Sequence, residues 1–194
     1  MNKVIAILSG ALTIVLFAFV IIVMMPTMQA KNNRPDPNIK PYNASETRGR
    51  EMYVSLGCLH CHTQQVRDSI WSTDEARGWG RPSVSTDYQY DTPHQLGTMR
   101  TGPDLMNIGV RQPSDTWHLM HLYQPRSVVP ESIMPAYPFL FKEVEKAGKD
   151  DVVIAMPPKF STGKTIVANQ QAIDLTNYMK SLKRNHPVPS NTAK

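Results

Sequence analysis

Two cysteines and a histidine in one short segment carry the most specific chemistry in this sequence. Residues 58–62 read Cys-Leu-His-Cys-His, so two residues separate the thiols and an imidazole follows the second thiol directly. This spacing is the attachment signature of a c-type haem, in which each thiol adds to one haem vinyl group. The chain has no other cysteine. We therefore expect one covalently bound haem c, attached at Cys58 and Cys61, with His62 as an iron ligand.

Two other uses of such a cysteine pair fit the sequence less well. A redox disulfide of this spacing usually lies in a thioredoxin-like βαβ pattern, which does not surround residues 58–61. A zinc site would need a second cysteine pair or two histidines at zinc-finger spacing, and the sequence offers neither. Covalent haem remains the favoured interpretation.

A haem iron in an electron carrier also needs a ligand opposite the histidine, and a thioether there raises the reduction potential. The chain has eleven methionines. Met134 lies downstream of the haem motif in an irregular segment between Pro130 and Pro135, and prolines restrict the backbone on both sides. We expect Met134 to be the second ligand. The alternatives are Met99, Met106 and Met156.

Three further side chains are candidates to hold the haem propionates: Arg100, Arg111 and Trp117. A guanidinium group suits bidentate contact with a carboxylate. A surface charge or a core aromatic is the alternative reading for each. His118 and His121 lie three positions apart on one predicted helical face, which favours hydrogen bonding or an interface role over a second metal site.

Two predicted helices frame the haem motif. Asn43 followed by Glu46 resembles a capping box, and Gly57 lies where that helix should end, just before Cys58. A last helix is predicted over residues 169–183 from apolar residues at helical spacing. This arrangement is that of class I cytochromes c, in which the two helices cross. The candidate contact residues at the crossing are Gly49, Tyr53 and Tyr178.

A Gly-Pro turn follows the motif at residues 101–105. In class I cytochromes c such a turn packs on the proximal side of the haem, and its proline carbonyl accepts a hydrogen bond from the ligand histidine. That bond fixes the orientation of the ring. We assign this role to Pro103.

An apolar segment near the N-terminus predicts a membrane anchor. Residues 4–25 hold no charged side chain, and about 20 such residues cross the hydrocarbon core as a helix. A cleaved signal peptide would have a shorter apolar core, and residues 28–30 form a poor cleavage site. We expect a retained anchor over residues 1–25. Because c-type haem is attached outside the cytoplasmic membrane, the haem domain is expected on the periplasmic side of a bacterial inner membrane.

The fold is therefore predicted to be mainly α: one transmembrane helix and a class I cytochrome c domain with long loop insertions. Residues 26–42 should form an extended, proline-rich linker, residues 43–184 the haem domain, and residues 185–194 a flexible tail. The insertions are predicted at residues 66–99 and 139–167. The net charge of +5 is not clustered into a stripe, so no nucleic-acid partner is expected.

The sequence resembles the membrane-anchored mono-haem cytochrome c subunit, subunit II, of cbb3-type cytochrome c oxidase. The most specific match is Val-Val-Pro-Glu-Ser-Ile-Met-Pro at residues 128–135. The other matching segments are residues 49–53, 57–62, 90–94, 100–105 and 117–122. The resemblance implies thioethers at Cys58 and Cys61, and His62 and Met134 as the iron ligands.

The resemblance also implies a role in electron transfer. Such a subunit relays electrons from another c-type cytochrome subunit, or from a soluble cytochrome c, to a haem–copper catalytic subunit in the lipid bilayer. The catalytic subunit reduces oxygen, so no catalytic residue is expected in this chain. Two alternatives are the cytochrome c subunit of a nitric oxide reductase and a free membrane-anchored electron carrier. Residues 130–135 favour the oxidase.

Overall fold

The computed structural model describes residues 2–32 and 35–188. It divides into two compact units: one holds the residues up to Pro37 together with Val188, and the other spans Asn38–Pro187.

The N-terminal unit contains one continuous helical run, Lys3–Lys31, of 29 residues. It consists of helix α1 (Lys3–Phe19), a π-helical turn (Val20–Met24) and helix α2 (Met25–Asn32). Asn2 caps the start of α1 with its side chain. The run is long and apolar enough to cross a membrane.

The extended linker predicted to begin at Pro26 is wrong for its first part, because α2 continues through that proline. Pro26 lies inside the continuous helical run, directly after the π-helical turn. The preceding π-turn shifts the hydrogen-bond ladder, so that the Met25 N–H donates to the Val20 carbonyl. The Thr27 hydroxyl donates to the Val23 carbonyl at 2.6 Å. Local hydrogen bonding therefore carries the helix past the proline.

The second unit is built on helices α3 (Ala44–Ser55) and α6 (Gln170–Ser181). A complete capping box begins α3: the Glu46 N–H donates to Asn43 Oδ1 at 2.9 Å, and the Asn43 N–H donates to Glu46 Oε2 at 2.8 Å. Gly57 follows the helix with a φ of 72°, in the left-handed region that glycine tolerates. The predicted start and end of α3 are confirmed.

The two helices cross where α3 carries a glycine. A Cβ atom on Gly49 would lie 2.0 Å from the Asp174 carbonyl oxygen and 2.7 Å from Tyr178 Cβ. Tyr53 meets Tyr178 edge to face, with ring centroids 5.7 Å apart. The close approach predicted at Gly49, Tyr53 and Tyr178 is therefore present.

We expect Gly49→Ala to lower the free energy of unfolding by about 3 kcal/mol, because its methyl group would push against the backbone of α6. Urea denaturation of the full-length chain in detergent measures the change. Gly148→Ala is the matched control, since its Cβ would meet only the flexible carboxylate of Asp151, at 3.3 Å. Equal stability of the two variants would contradict the close crossing.

Two shorter helices, α4 (Ile108–Arg111) and α5 (Asp115–Tyr123), complete the helical part. The helix predicted to carry His118 and His121 is α5, and the Ser114 hydroxyl caps its start. Gly109 in α4 lies against α6: a Cβ there would be 2.2 Å from the Lys180 carbonyl oxygen. The 3₁₀ turns of the unit are Cys58–His60, Ser85–Tyr88, Pro125–Ser127, Pro138–Leu140 and Pro158–Phe160.

The insertion at residues 139–167 was expected as loop, but it contains a small antiparallel sheet. Its strands are β1 (Phe141–Val144), β2 (Val153–Ile154) and β3 (Thr165–Ala168), in the order β1-β3-β2. The strands are too short to show an alternating pattern in the sequence, and pairing with β3 in the middle supplies their hydrogen bonds. The domain is mainly helical with this addition.

The insertion at residues 66–99 is ordered by a small apolar cluster of its own. Val66, Trp79 and Tyr88 are buried there together with Met106. The Tyr88 hydroxyl donates to the Gln64 carbonyl at 2.9 Å, which ties the insertion to the segment just after the haem motif.

The prediction of a flexible tail over residues 185–194 places the start of the tail too early. The Arg81 N–H donates to Asn185 Oδ1 at 3.1 Å, and Arg81 Nε donates to the His186 carbonyl at 2.7 Å. These two tail residues are therefore held by the first insertion. Residues 189–194 lie outside the described part of the chain.

Candidate haem site

The haem motif folds into one tight turn after α3. The Cys61 N–H and the His62 N–H both donate to the Cys58 carbonyl, at 3.1 and 2.9 Å. Cys58 is half-buried, Cys61 is exposed, and both are free thiols. The turn thus gathers two free thiols and an imidazole within five residues.

The ring of His62 is oriented by the Gly-Pro turn. Its Nδ1–H donates to the Pro103 carbonyl at 2.8 Å, the hydrogen bond expected from the sequence. This bond keeps the proton on Nδ1 and leaves Nε2 free to bind a metal. Burial lowers the pKa of His62, so the neutral imidazole that binds iron is favoured.

Two glycines let the backbone close around His62. A Cβ on Gly102 would lie 2.3 Å from His62 Cε1, so only glycine leaves room for the ring. A Cβ on Gly97 would lie 2.3 Å from the His62 carbonyl oxygen, and Gly97 has a φ of 81°. The imidazole therefore sits in a close-fitting backbone cradle.

Sequence reasoning missed the role of Asp104, which is fully buried beneath this cradle. Its carboxylate accepts from Thr63 Oγ1 at 2.6 Å, from the Gln65 N–H at 2.8 Å and from the Met106 N–H at 2.8 Å. One carboxylate thus joins the segment after His62 to the turn that holds its ring. The only sequence signal is an acidic residue directly after Gly-Pro.

Arg100, a candidate for the propionates, bonds to protein atoms through all three of its nitrogens. Nη1 donates to Asp74 Oδ1 at 2.6 Å, Nη2 to the Gln65 carbonyl at 2.6 Å, and Nε to Thr63 Oγ1 at 2.9 Å. These contacts place Arg100 in the support of the cradle and argue against the expected propionate role.

Arg111, at the end of α4, has an N–H group that makes no hydrogen bond to the protein. One of its terminal nitrogens donates to the Asp104 carbonyl, while its Nε is buried without a hydrogen-bond partner. Burial lowers the pKa of Arg111, because the cation has lost part of its hydration. A buried donor of this kind fits the carboxylate of a bound haem.

The aromatic residues of α5 line up beside the site. Trp117 stacks on His121 with ring centroids 4.7 Å apart and planes 11° from parallel. His118 Nε2 donates to the Gln112 carbonyl at 2.8 Å, whereas His121 Nδ1 is buried without a partner. Within residues 2–32 and 35–188, no cluster of three His, Cys, Asp or Glu side chains could hold a metal ion.

The methionines differ in where they lie. Met134 and Met156 pack, half-buried, against the main core in the same group as Cys58. Met106 is 2% exposed in the separate cluster of the first insertion, and Met99 is 58% exposed. Met134 and Met156 therefore remain the better candidates for an iron ligand.

The segment that carries Met134 is held at both ends. The Met134 N–H donates to Ser132 Oγ at 3.2 Å, and the Tyr137 N–H donates to the Leu122 carbonyl at 2.9 Å. The second bond fixes the chain to α5. A haem fits the groups gathered here. They are two free thiols, an imidazole whose Nδ1 is already hydrogen-bonded, a thioether and the Arg111 donor.

A family model described as "Cytochrome C oxidase, mono-heme subunit/FixO" matches residues 1–184. Comparison with curated proteins gives no match.

Proposed function

Because the chain belongs to the FixO family of mono-haem cytochrome c oxidase subunits, we propose that it relays electrons, through one covalent haem c, to the catalytic subunit of a haem–copper oxidase. The observation that carries the proposal is the cradle of His62. Its ring is packed on Gly102 and hydrogen-bonded to Pro103. This is how an iron-binding histidine is held when its orientation must not change.

Each residue of the site has a distinct task in this proposal. Cys58 and Cys61 would hold the haem through thioether bonds, and His62 Nε2 and the Met134 sulfur would be the ligands of its iron. Arg111 donates from its buried Nε to a propionate. The haem supplies a reversible one-electron carrier when bound.

The chain tunes that carrier through charge and burial. The Pro103 carbonyl accepts a hydrogen bond from the Nδ1–H of His62, which makes the ring a stronger ligand through Nε2. A methionine thioether opposite histidine raises the reduction potential, as a downhill relay to an oxidase requires.

The N-terminal helix has its place in the same proposal. We place Lys3–Lys31 across the bacterial inner membrane, with the haem domain on the periplasmic side, because c-type haem is attached there. The electron donor is another c-type cytochrome subunit or a soluble cytochrome c. The acceptor is the membrane-embedded catalytic subunit.

The haem attachment is tested with cysteine variants. We expect the double variant Cys58→Ala, Cys61→Ala to lose all covalent haem, because no other thiol is present in the chain. Haem staining of the denatured full-length chain measures the attachment. His60→Ala is the matched control, since His60 is exposed between the two cysteines and should keep full staining. Covalent haem in the double variant would contradict the assignment.

The partner is tested by purification of the chain in mild detergent from its membrane. Co-purified b-type haem and copper, in a subunit that reduces oxygen, would support the oxidase. A partner with non-haem iron and no copper would indicate a nitric oxide reductase instead. A chain that purifies alone with its haem would indicate a free carrier.

A further inference from the structure

We propose that a basic cleft in the second unit binds the phosphate group of an anionic lipid. The basic cleft lies between the segment that begins at Asn38 and the end of α6, and its volume is about 500 Å³. All of its described lining residues belong to the unit Asn38–Pro187. The inference goes beyond the proposed function and uses only one part of it, the placement of Lys3–Lys31 in a membrane.

The charged side chains that line the basic cleft are mostly cations. These cations are Lys40 on the wall before α3, and Lys180, Lys183 and Arg184 on the wall at the end of α6. Glu46 is the one carboxylate among the described lining residues, and it already accepts from the Asn43 N–H in the capping box. A cavity of this size and charge suits a compact anion.

Arg184 is a buried cation without an ion pair. It is 6% exposed, and its guanidinium donates to two backbone carbonyls, at 3.2 Å each, and to the Tyr42 hydroxyl at 3.4 Å. That hydroxyl donates to Asp91, whose carboxylate is already paired with Arg50. Arg184 forms no ion pair with any described residue. Because a buried charge is normally paired, this guanidinium favours an anion in the basic cleft.

Two lysines, one on each wall, add to this charge. Lys40 and Lys183 are exposed and form no ion pair within the described part of the chain, whereas Lys180 pairs with Asp115 at 2.5 Å. Lys40 also lies just before the positive end of α3, where a cation is unfavourable unless an anion lies nearby. Lys40 and Lys183 therefore offer two ammonium groups to one ligand.

A phosphate group fits these donors, because ammonium and guanidinium groups bind its oxygens through charge-assisted hydrogen bonds. A lipid is the favoured source, since the proposed function places the chain in a bilayer. Asn38 follows Asn32, the last residue of α2, by six positions, and six residues span at most about 22 Å. The covalent chain thus limits how far the basic cleft can lie from a bilayer. Anionic headgroups are attracted to basic clusters at such short range.

The test measures lipid binding to the full-length, haem-bearing chain in mild detergent by native mass spectrometry. The probes are phosphatidylglycerol, which is anionic, and phosphatidylcholine, which carries a phosphate but no net charge. We expect selective binding of phosphatidylglycerol, and the double variant Lys40→Gln, Lys183→Gln should weaken it about tenfold or more. Since both lysines are exposed, this variant should keep its fold.

The double variant Lys146→Gln, Lys149→Gln is the matched control, because it removes two exposed lysines that do not line the basic cleft. It should bind phosphatidylglycerol as the parent chain does. This comparison removes the contribution of the membrane helix, which contacts lipid in every variant. An equal loss in the two double variants, or equal binding of the two lipids by the parent chain, would overturn the inference.

Two further measurements separate the possible sources of the anion. Isothermal titration with inorganic phosphate should show only weak binding, because the free ion lacks the acyl chains that hold a lipid in the micelle. Tight binding of inorganic phosphate without selective binding of phosphatidylglycerol would overturn the lipid as the source. Loss of a co-purified catalytic subunit from the Lys40 and Lys183 variant, without selective lipid binding, would indicate an acidic protein surface instead. A parent chain without covalent haem would contradict the proposed function and leave the lipid measurement valid.

Discussion

Replacing Met134 by alanine is expected to lower the reduction potential of the haem by at least about 0.1 V, because axial ligands shift haem potentials over a range of about 0.8 V. The thioether stabilises the reduced iron, and water or an empty position in its place does so less well. The segment around Met134 is held by Ser132 and by the contact of Tyr137 with α5, so alanine should leave the fold intact. A redox titration of the full-length chain measures the shift.

Met156→Ala is the matched control for this prediction. Both methionines are half-buried against the same core group, so the two variants lose similar packing. Only the variant that removes the ligand should change the potential and the spectrum of the reduced haem. A large shift in Met156→Ala, with none in Met134→Ala, would transfer the ligand role to Met156.

The second large effect is expected on stability. We expect Asp104→Ala to lower the free energy of unfolding by about 3–5 kcal/mol, because it leaves buried partners unpaired. Those partners are the Thr63 hydroxyl and the backbone N–H groups of Gln65 and Met106. Arg100 would also lose an acid that lies 3.9 Å from its Nη2. Urea denaturation of the full-length chain measures the loss.

Asp150→Ala provides the comparison, since Asp150 lies exposed in the loop between β1 and β2. We expect that variant to unfold within about 0.5 kcal/mol of the parent chain. A similarly small effect of Asp104→Ala would contradict the idea that one carboxylate joins the two sides of the His62 cradle. Haem staining of Asp104→Ala would show whether the cradle must form before attachment.

Local signals in the sequence predicted the parts of the fold that local hydrogen bonds create. The Asn43 and Glu46 box needs only four residues to form, and Gly57 adopts a backbone conformation that other residues resist. The contact of Pro103 with His62 was predictable from a turn motif, although the bond joins residues 41 positions apart. The likeness to class I cytochromes c indicated Gly49 as a residue of the helix crossing, and the structure places it there.

Most of the features that sequence reasoning missed depend on distant partners, and the helix through Pro26 is the exception, because local hydrogen bonds carry it. A proline normally interrupts a helix. At Pro26 the helix continues after a π-helical turn, which the sequence does not reveal. The three strands are too short for their pattern to be read, and β3 pairs with both neighbours only after the chain has folded.

The packing of His62 between Gly102 and the Pro103 carbonyl has a consequence for the speed of electron transfer. A ligand that cannot rotate or tilt changes little when its metal gains or loses charge, so the nuclear rearrangement that accompanies each electron is small. Sites whose dipoles are fixed in advance do not spend free energy on reorienting them. With His62 held in this way, the spacing between the haem and its redox partners would govern how fast electrons move.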